Sequence, residues 1–278
     1  LIAQAEVSGD IRAVDYRIAP IAGGFEIDLG NGEYTRVRVT AGEVSIITDG
    51  SETLFFRTST MRALPVPAEV GDLSRLGRYL NLDLHDRILL IGWITYTLAH
   101  PKRPTTNFLI LLLIGDQGVG KSFLCNIIQL LIDPSGIRHR SFPRTAQDLA
   151  ISAQAAHILV YDNLRDVPRG LSDIMCMSAT GGAFTTRRLY SNDEEVVLSL
   201  HVALLLNGIA PSFSEPDLVQ RCLPLTLRQL DEGERKDEEA LAQEFEADRP
   251  YIFRGLLDLI AKILEHLHGS VTKRITRA

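Results

Sequence analysis

The sequence predicts an α/β fold built on a mostly parallel sheet, and three observations carry that prediction. From Thr105 onward, continuous apolar runs alternate with helical stretches, the pattern of strands covered on both faces by helices. The run Phe108 to Ile114 leads directly into Gly115-Asp116-Gln117-Gly118-Val119-Gly120-Lys121-Ser122, and Phe123 to Ile132 reads as the helix that follows. His157 to Asn163 repeats the theme as a short buried strand that ends in an acid. With 278 residues, the chain is long enough for one large or two small domains with a substantial core.

The elements follow in order. Residues 1–64 alternate apolar and polar side chains between turn signals at Gly23-Gly24, Gly30-Asn31-Gly32 and Asp49-Gly50, which predicts a small antiparallel β module. Pro65 and Pro67 interrupt it, and residues 65–104 form a helical bridge, with an apolar stripe of Leu76, Leu80, Leu84, Ile88, Leu89 and Ile91. Residues 105–230 make the phosphate-loop core. Residues 231–278 make a helical segment, with one helix over Asp237 to Asp248 and a last one that opens at Pro250 and ends at Gly269. The chain opens at Leu1 without an initiator methionine and closes after a basic stretch, which reads as an excised fragment.

Composition excludes several classes. Apolar residues at 45% and charged residues at 23% belong to a folded globular protein rather than a disordered one. No apolar run is long enough to span a bilayer, so no membrane partner is expected. Cys125, Cys176 and Cys222 lie far apart among apolar neighbours without metal-ligand spacing, and read as reduced core thiols of a cytoplasmic protein. A net charge of -6 argues against a surface that coats nucleic acid, and leaves room for a local basic patch.

The chemistry centres on Gly115 to Ser122. A strand, a glycine-rich turn and a helix place backbone N–H groups and a helix N-terminus against phosphates. In that arrangement Lys121 reaches the β- and γ-phosphates of ATP, and the Ser122 hydroxyl ligates Mg²⁺. Asp162, 41 residues after Lys121, is a second Mg²⁺ ligand at a strand end, or else a turn-capping aspartate. Asn163 stands beside it where a glutamate would deprotonate the attacking water; an amide can orient water but cannot take its proton. Val196 to Leu206 reads as a strand that terminates in Asn207-Gly208, so Asn207 either holds the γ-phosphate or lytic water, or makes a plain turn. Arg221 is either an arginine finger aimed at a neighbour's γ-phosphate or a surface arginine.

Taken together, Gly115 to Ser122, Asp162-Asn163, Asn207 and Arg221 resemble the motif series of superfamily 3 helicases, the AAA+ branch found in small viruses, phages and mobile elements. The chain looks especially like the ATPase part of bacterial prophage and mobile-element proteins that are often joined to primase modules. The resemblance covers about residues 75–265 and leaves the β module unexplained. It implies a hexameric ring that translocates on single-stranded DNA, with a primase or replication partner, and a DNA-binding hairpin between the second acid and the asparagine. Residues 183–200 occupy that interval, where Arg187, Arg188 and Tyr190 would offer cations and a stacking ring to DNA. Alternatively, both arginines pair with Asp193, Glu194 or Glu195. Two other functions stand beside a helicase: a nucleotide-switched assembly or regulatory ATPase with slow hydrolysis, and an adaptor with a vestigial loop.

Overall fold

The computed structural model describes residues 12–103, 105–138, 140–167, 169–187, 195–212, 215–230 and 237–275. The expected β module is a four-stranded antiparallel sheet of β1 (Ile18–Ile21), β2 (Gly24–Asp28), β3 (Arg36–Thr40) and β4 (Glu43–Ile47), paired in that order. Its alternation decides its two faces. Phe25, Ile27, Val37 and Val39 are buried on one side, while Arg36 and Arg38 stand on the other.

A short 3₁₀ helix (Leu73–Tyr79) and α1 (Leu84–Ala99) lead to the second sheet. The chain then alternates through β5 (Ile110–Ile114), α2 (Lys121–Ile132), α3 (Ala146–Gln154), β6 (Ile158–Asp166) and α4 (Arg169–Thr180). A hairpin of β7 (Ala183–Arg187) and β8 (Glu195–Ser199) precedes β9 (Ala203–Ser212), α5 (Pro216–Gln220), β10 (Cys222–Thr226) and α6 (Glu238–Ile275). Strands β10, β5, β9 and β6 form a parallel sheet in that order. Pro224 lacks an N–H for a ladder, and β10 tolerates it because it lies at the sheet edge. Arg140 adds one further parallel bridge to Tyr161 beyond β6.

Both faces of this sheet are covered, as continuous apolar strands require. Leu111, Leu113, Val160 and Leu205 point to one side, where they share a core with α1, α2, α6 and the buried face of the antiparallel sheet. Ile110, Leu112, Leu159 and Leu204 point to the other, against α3 and α4. The β module and the parallel sheet are thus joined by one continuous apolar core.

Three sequence expectations need correction. The stripe over residues 76–91 is interrupted: an extended stretch separates the 3₁₀ helix from α1, which starts only after Asp83 caps it, so Leu84 and Ile88 are exposed while Leu90, Trp93, Ile94 and Leu98 face the core. The two C-terminal helices are one, because Phe245 on one side of Pro250 and Ile252, Phe253 and Leu256 on the other are buried in the same core. That shared burial outweighs the cost of an interior proline, and Gly269 lies within the helix rather than at its end. Finally, β6 and β9 run past Asp162 and Asn207 instead of stopping there, and β9 is separated from β8 at residues 200–202.

At the far end of the parallel sheet, polar groups join the two sheets. Arg17 and Asp133 are fully buried and paired at 2.9 Å. The second oxygen of Asp133 accepts from the His157 backbone N–H at 2.6 Å. The His157 ring is buried edge-on to Phe108, with Nε2 2.8 Å from the Thr97 carbonyl. That carbonyl can only accept, so Nε2 carries the proton. Burial pushes this imidazole down from 6.5 to about 4. A histidine held neutral contributes stability that is complete above its unfolded pKa and is lost as pH falls toward its folded one. Acidification from pH 7 to pH 5 is therefore expected to cost the wild type about 2 kcal/mol more than His157→Gln, as read from denaturant unfolding at both pH values.

Candidate functional site

All four parallel strands end at one edge of the sheet, and the side chains there surround a cleft of about 910 Å³. Ligands of open α/β sheets bind outside the carboxyl ends of the strands. Residues 115–120 connect β5 to α2, and Gly118 and Gly120 take φ of 81° and 87°, a region that side chains with a Cβ rarely adopt. Gly120 is the N-cap of α2 and offers no side chain to its first turn, so the amides there are available to an anion.

Lys121 donates through Nζ to the carbonyls of Gly115 at 2.7 Å and Asp116 at 2.6 Å, which folds its ammonium over the loop. Ser122 Oγ donates to Asp162 Oδ2 at 3.0 Å. A hydroxyl and a carboxylate at this separation are hard oxygen donors of the kind Mg²⁺ prefers. They are brought together by an irregularity. The β6–β9 ladder shifts register between Tyr161 and Leu164, so Asp162 and Asn163 sit on a bulge that turns them toward the cleft. Asn163 adopts φ 60°, which asparagine tolerates better than most residues.

Asn207 is buried and tied down at both ends of its amide. Oδ1 accepts from the Asn163 backbone N–H at 2.9 Å, and Nδ2 donates to Cys125 Sγ at 3.1 Å. Burial pushes the Cys125 thiol up to about 12, so it stays protonated. Since β9 continues to Ser212, the Asn-Gly pair is not a turn. Asn207 holds the bulge in place and lines the cleft.

Arg221 is not part of this cleft. It lies at the opposite end of β10, where its carbonyl accepts from Ile110 N–H, with five strand residues, roughly 16 Å, between it and the cleft edge. Its guanidinium meets Asp217 at 3.4 Å on an exposed surface. The expected hairpin is present, paired from Ala183↔Ser199 to Arg187↔Glu195. Arg188 and Tyr190, with the acids Asp193 and Glu194, lie outside the described residues.

The sequence did not single out the opposite wall of the cleft. Asn81 donates to the carbonyls of Val119 at 3.1 Å and Arg228 at 2.6 Å, and so clamps the glycine-rich loop to the segment after β10. Gln229 donates to the Asp116 carboxylate. A signal for Arg228 did exist: each parallel strand is followed or interrupted by polar residues at the cleft edge, and Arg228 is the counterpart on β10. Asn81 sits in the break before α1 and has no such signature.

Among solved structures, this chain is similar to the apo C-terminal region of NrS-1. One such structure has 15% identity and a TM-score of 0.46, covering 80% of this chain and 63% of that one. Another has 15% identity and a TM-score of 0.47, covering 82% of this chain and 66% of that one. The chain thus spans less than two thirds of the length of the first. No curated protein sequence matches it. Among the described residues, no helix is long and apolar enough to cross a membrane. The family model of the actinomycete integrative conjugative element replication protein matches residues 72–271, a span that contains the glycine-rich loop, Asp162, Asn207 and the whole cleft. The chain belongs to that family, and is a replication protein of a mobile element.

Proposed function

We propose that this protein is an ATP-hydrolysing DNA helicase or translocase with an AAA+ core, working as a hexameric ring on single-stranded DNA. The observation that supports it most directly is the Ser122–Asp162 pair at 3.0 Å beside the uncapped N-terminus of α2. That edge combines a helix N-terminus for phosphate, a lysine, and two hard oxygen donors for Mg²⁺. When bound, Mg²⁺ would neutralise charge that develops on the transferred phosphoryl oxygens. In this proposal Lys121 leaves the loop carbonyls to meet the β- and γ-phosphates, Asp162 receives or orients the water's proton, and Asn207 keeps both Asp162 and Asn163 in register with the loop. Arg221, remote from its own cleft, completes that of a neighbouring copy.

A second proposal draws on Asn163. With an amide after Asp162, turnover can be slow enough for the nucleotide to act as an assembly switch instead of a fuel. The same assay separates the two. ATP turnover is measured with and without single-stranded DNA, and Lys121→Ala is expected to lower it by about 10²–10³-fold. A motor shows turnover stimulated by DNA. Hydrolysis that ignores DNA counts against it, and nucleotide-dependent oligomerisation with little turnover favours the switch.

A further inference from the structure

The polar face of the N-terminal sheet, which the nucleotide chemistry leaves without a role, carries a second cleft of about 250 Å³ lined by Asp28, Tyr34, Arg36, Phe55 and Arg57. This is below the roughly 300–1,000 Å³ of pockets that enclose whole small-molecule ligands, and suits one planar group. Tyr34 is 66% exposed and holds φ 56°, an uncommon and strained conformation for an aromatic residue. Its loop is fixed by Asn31, whose side chain bonds both the N–H and the hydroxyl of Thr35.

Arg57 backs the ring, with its guanidinium carbon 4.5 Å from the Tyr34 centroid. That guanidinium is itself immobile: it donates to both oxygens of the buried Asp28, at 2.8 and 2.6 Å, and to the Asn31 carbonyl. The charge of Asp28 is thereby taken up by Arg57. Arg36 differs. Its guanidinium donates to Thr53 Oγ1 at 3.2 Å and lies 5.4 Å from the Phe55 ring, and among the described residues it makes no ion pair. The cleft thus presents one ring with a face left to solvent, held rigid from behind, and one guanidinium that pairs with no carboxylate among the described residues.

A ligand that matches has a flat π-face and a negative charge next to it. In a replication protein of a mobile element, the chemistry that supplies both in series is single-stranded nucleic acid. We propose that this cleft docks one nucleotide of single-stranded DNA, its base stacked on Tyr34 and its phosphate against Arg36. This rests on the chain handling single-stranded DNA, and gives the N-terminal sheet a part in holding the strand outside the nucleotide-binding edge.

The test uses the full chain and a fluorescein-labelled oligothymidylate, with affinity measured over a salt series and DNA-stimulated ATP turnover followed in the same samples. Tyr34→Ala is expected to weaken binding by about 5–150-fold, the range of one base–aromatic stack, and Tyr34→Phe to bind as the wild type does. Arg36→Ala is expected to reduce the slope of log K against log salt by about 0.7. Photocrosslinking of bromodeoxyuridine-substituted DNA to the wild-type protein needs no variant, and is expected to label Tyr34. Wild-type affinity and slope in both alanine variants, or crosslinks confined to other segments, would overturn the cleft while leaving DNA-stimulated turnover intact. A wild type that binds no single-stranded DNA overturns both the cleft and the motor.

Discussion

Arg221→Ala is expected to lower ATP turnover by about 10³–10⁵-fold, the effect of removing an arginine that stabilises charge on a phosphoryl group in flight. Nucleotide affinity in the isolated subunit is expected to stay within a few-fold, because Arg221 lies about 16 Å along β10 from the cleft of its own chain. Its only close charged partner among the described residues, Asp217 at 3.4 Å, is exposed, and a pair of that kind contributes little to folding. A large catalytic loss could therefore not be blamed on misfolding. The decisive measurement mixes two inactive variants. Lys121→Ala subunits keep Arg221, and Arg221→Ala subunits keep a complete glycine-rich loop, so a mixed assembly contains interfaces with both parts. Recovery of turnover on mixing supports action between copies. No recovery, in mixtures shown to co-assemble, rules out action between copies, and an Arg221→Ala protein that turns over normally alone removes Arg221 from the mechanism.

The parallel sheet and the loop were legible in the sequence because both depend on local pattern. A buried parallel strand needs an unbroken apolar run, and the turn into α2 needs glycine where φ is positive, at Gly118 and Gly120. The bulge at Asp162-Asn163 was not legible, since a one-residue shift of register depends on what β9 places opposite, namely Asn207. The continuity of α6 was hidden for a related reason. Pro250 is locally a stop signal, and only the shared core contacted by Phe245 and Phe253 overrides it. Asn81 was missed because its partners, Val119 and Arg228, are 38 and 147 residues away. Charged residues at the junction of the two sheets were equally silent: nothing around Arg17 or Asp133 distinguishes a buried pair from two solvated ones.

That junction carries the largest stability effect. Asp133→Ala is expected to destabilise the protein by about 3–5 kcal/mol, the cost of leaving one member of a buried pair without its partner. Arg17 has no exposed surface onto which to release its charge, and the His157 backbone N–H loses its acceptor at the same time. Against a total stability of roughly 5–15 kcal/mol, this is a fall in Tm on the order of 10 °C, read from thermal unfolding. A loss under about 1 kcal/mol would show that the pair is dispensable. The position of Asp133 links stability to the cleft. It follows α2 directly, accepts from the residue that precedes β6, and binds the residue that precedes β1. The other end of α2 carries Lys121 and Ser122, and the bulge within β6 carries Asp162, so one carboxylate fixes the relative position of both halves of the Ser122–Asp162 pair from about 18 Å away, the length of a twelve-residue helix. Asp133→Ala should accordingly weaken Mg²⁺–nucleotide binding at temperatures where the protein is still folded, although Asp133 touches nothing in the cleft. Arg17→Met combined with Asp133→Leu removes both charges together, and is expected to lose less stability than the two single changes added.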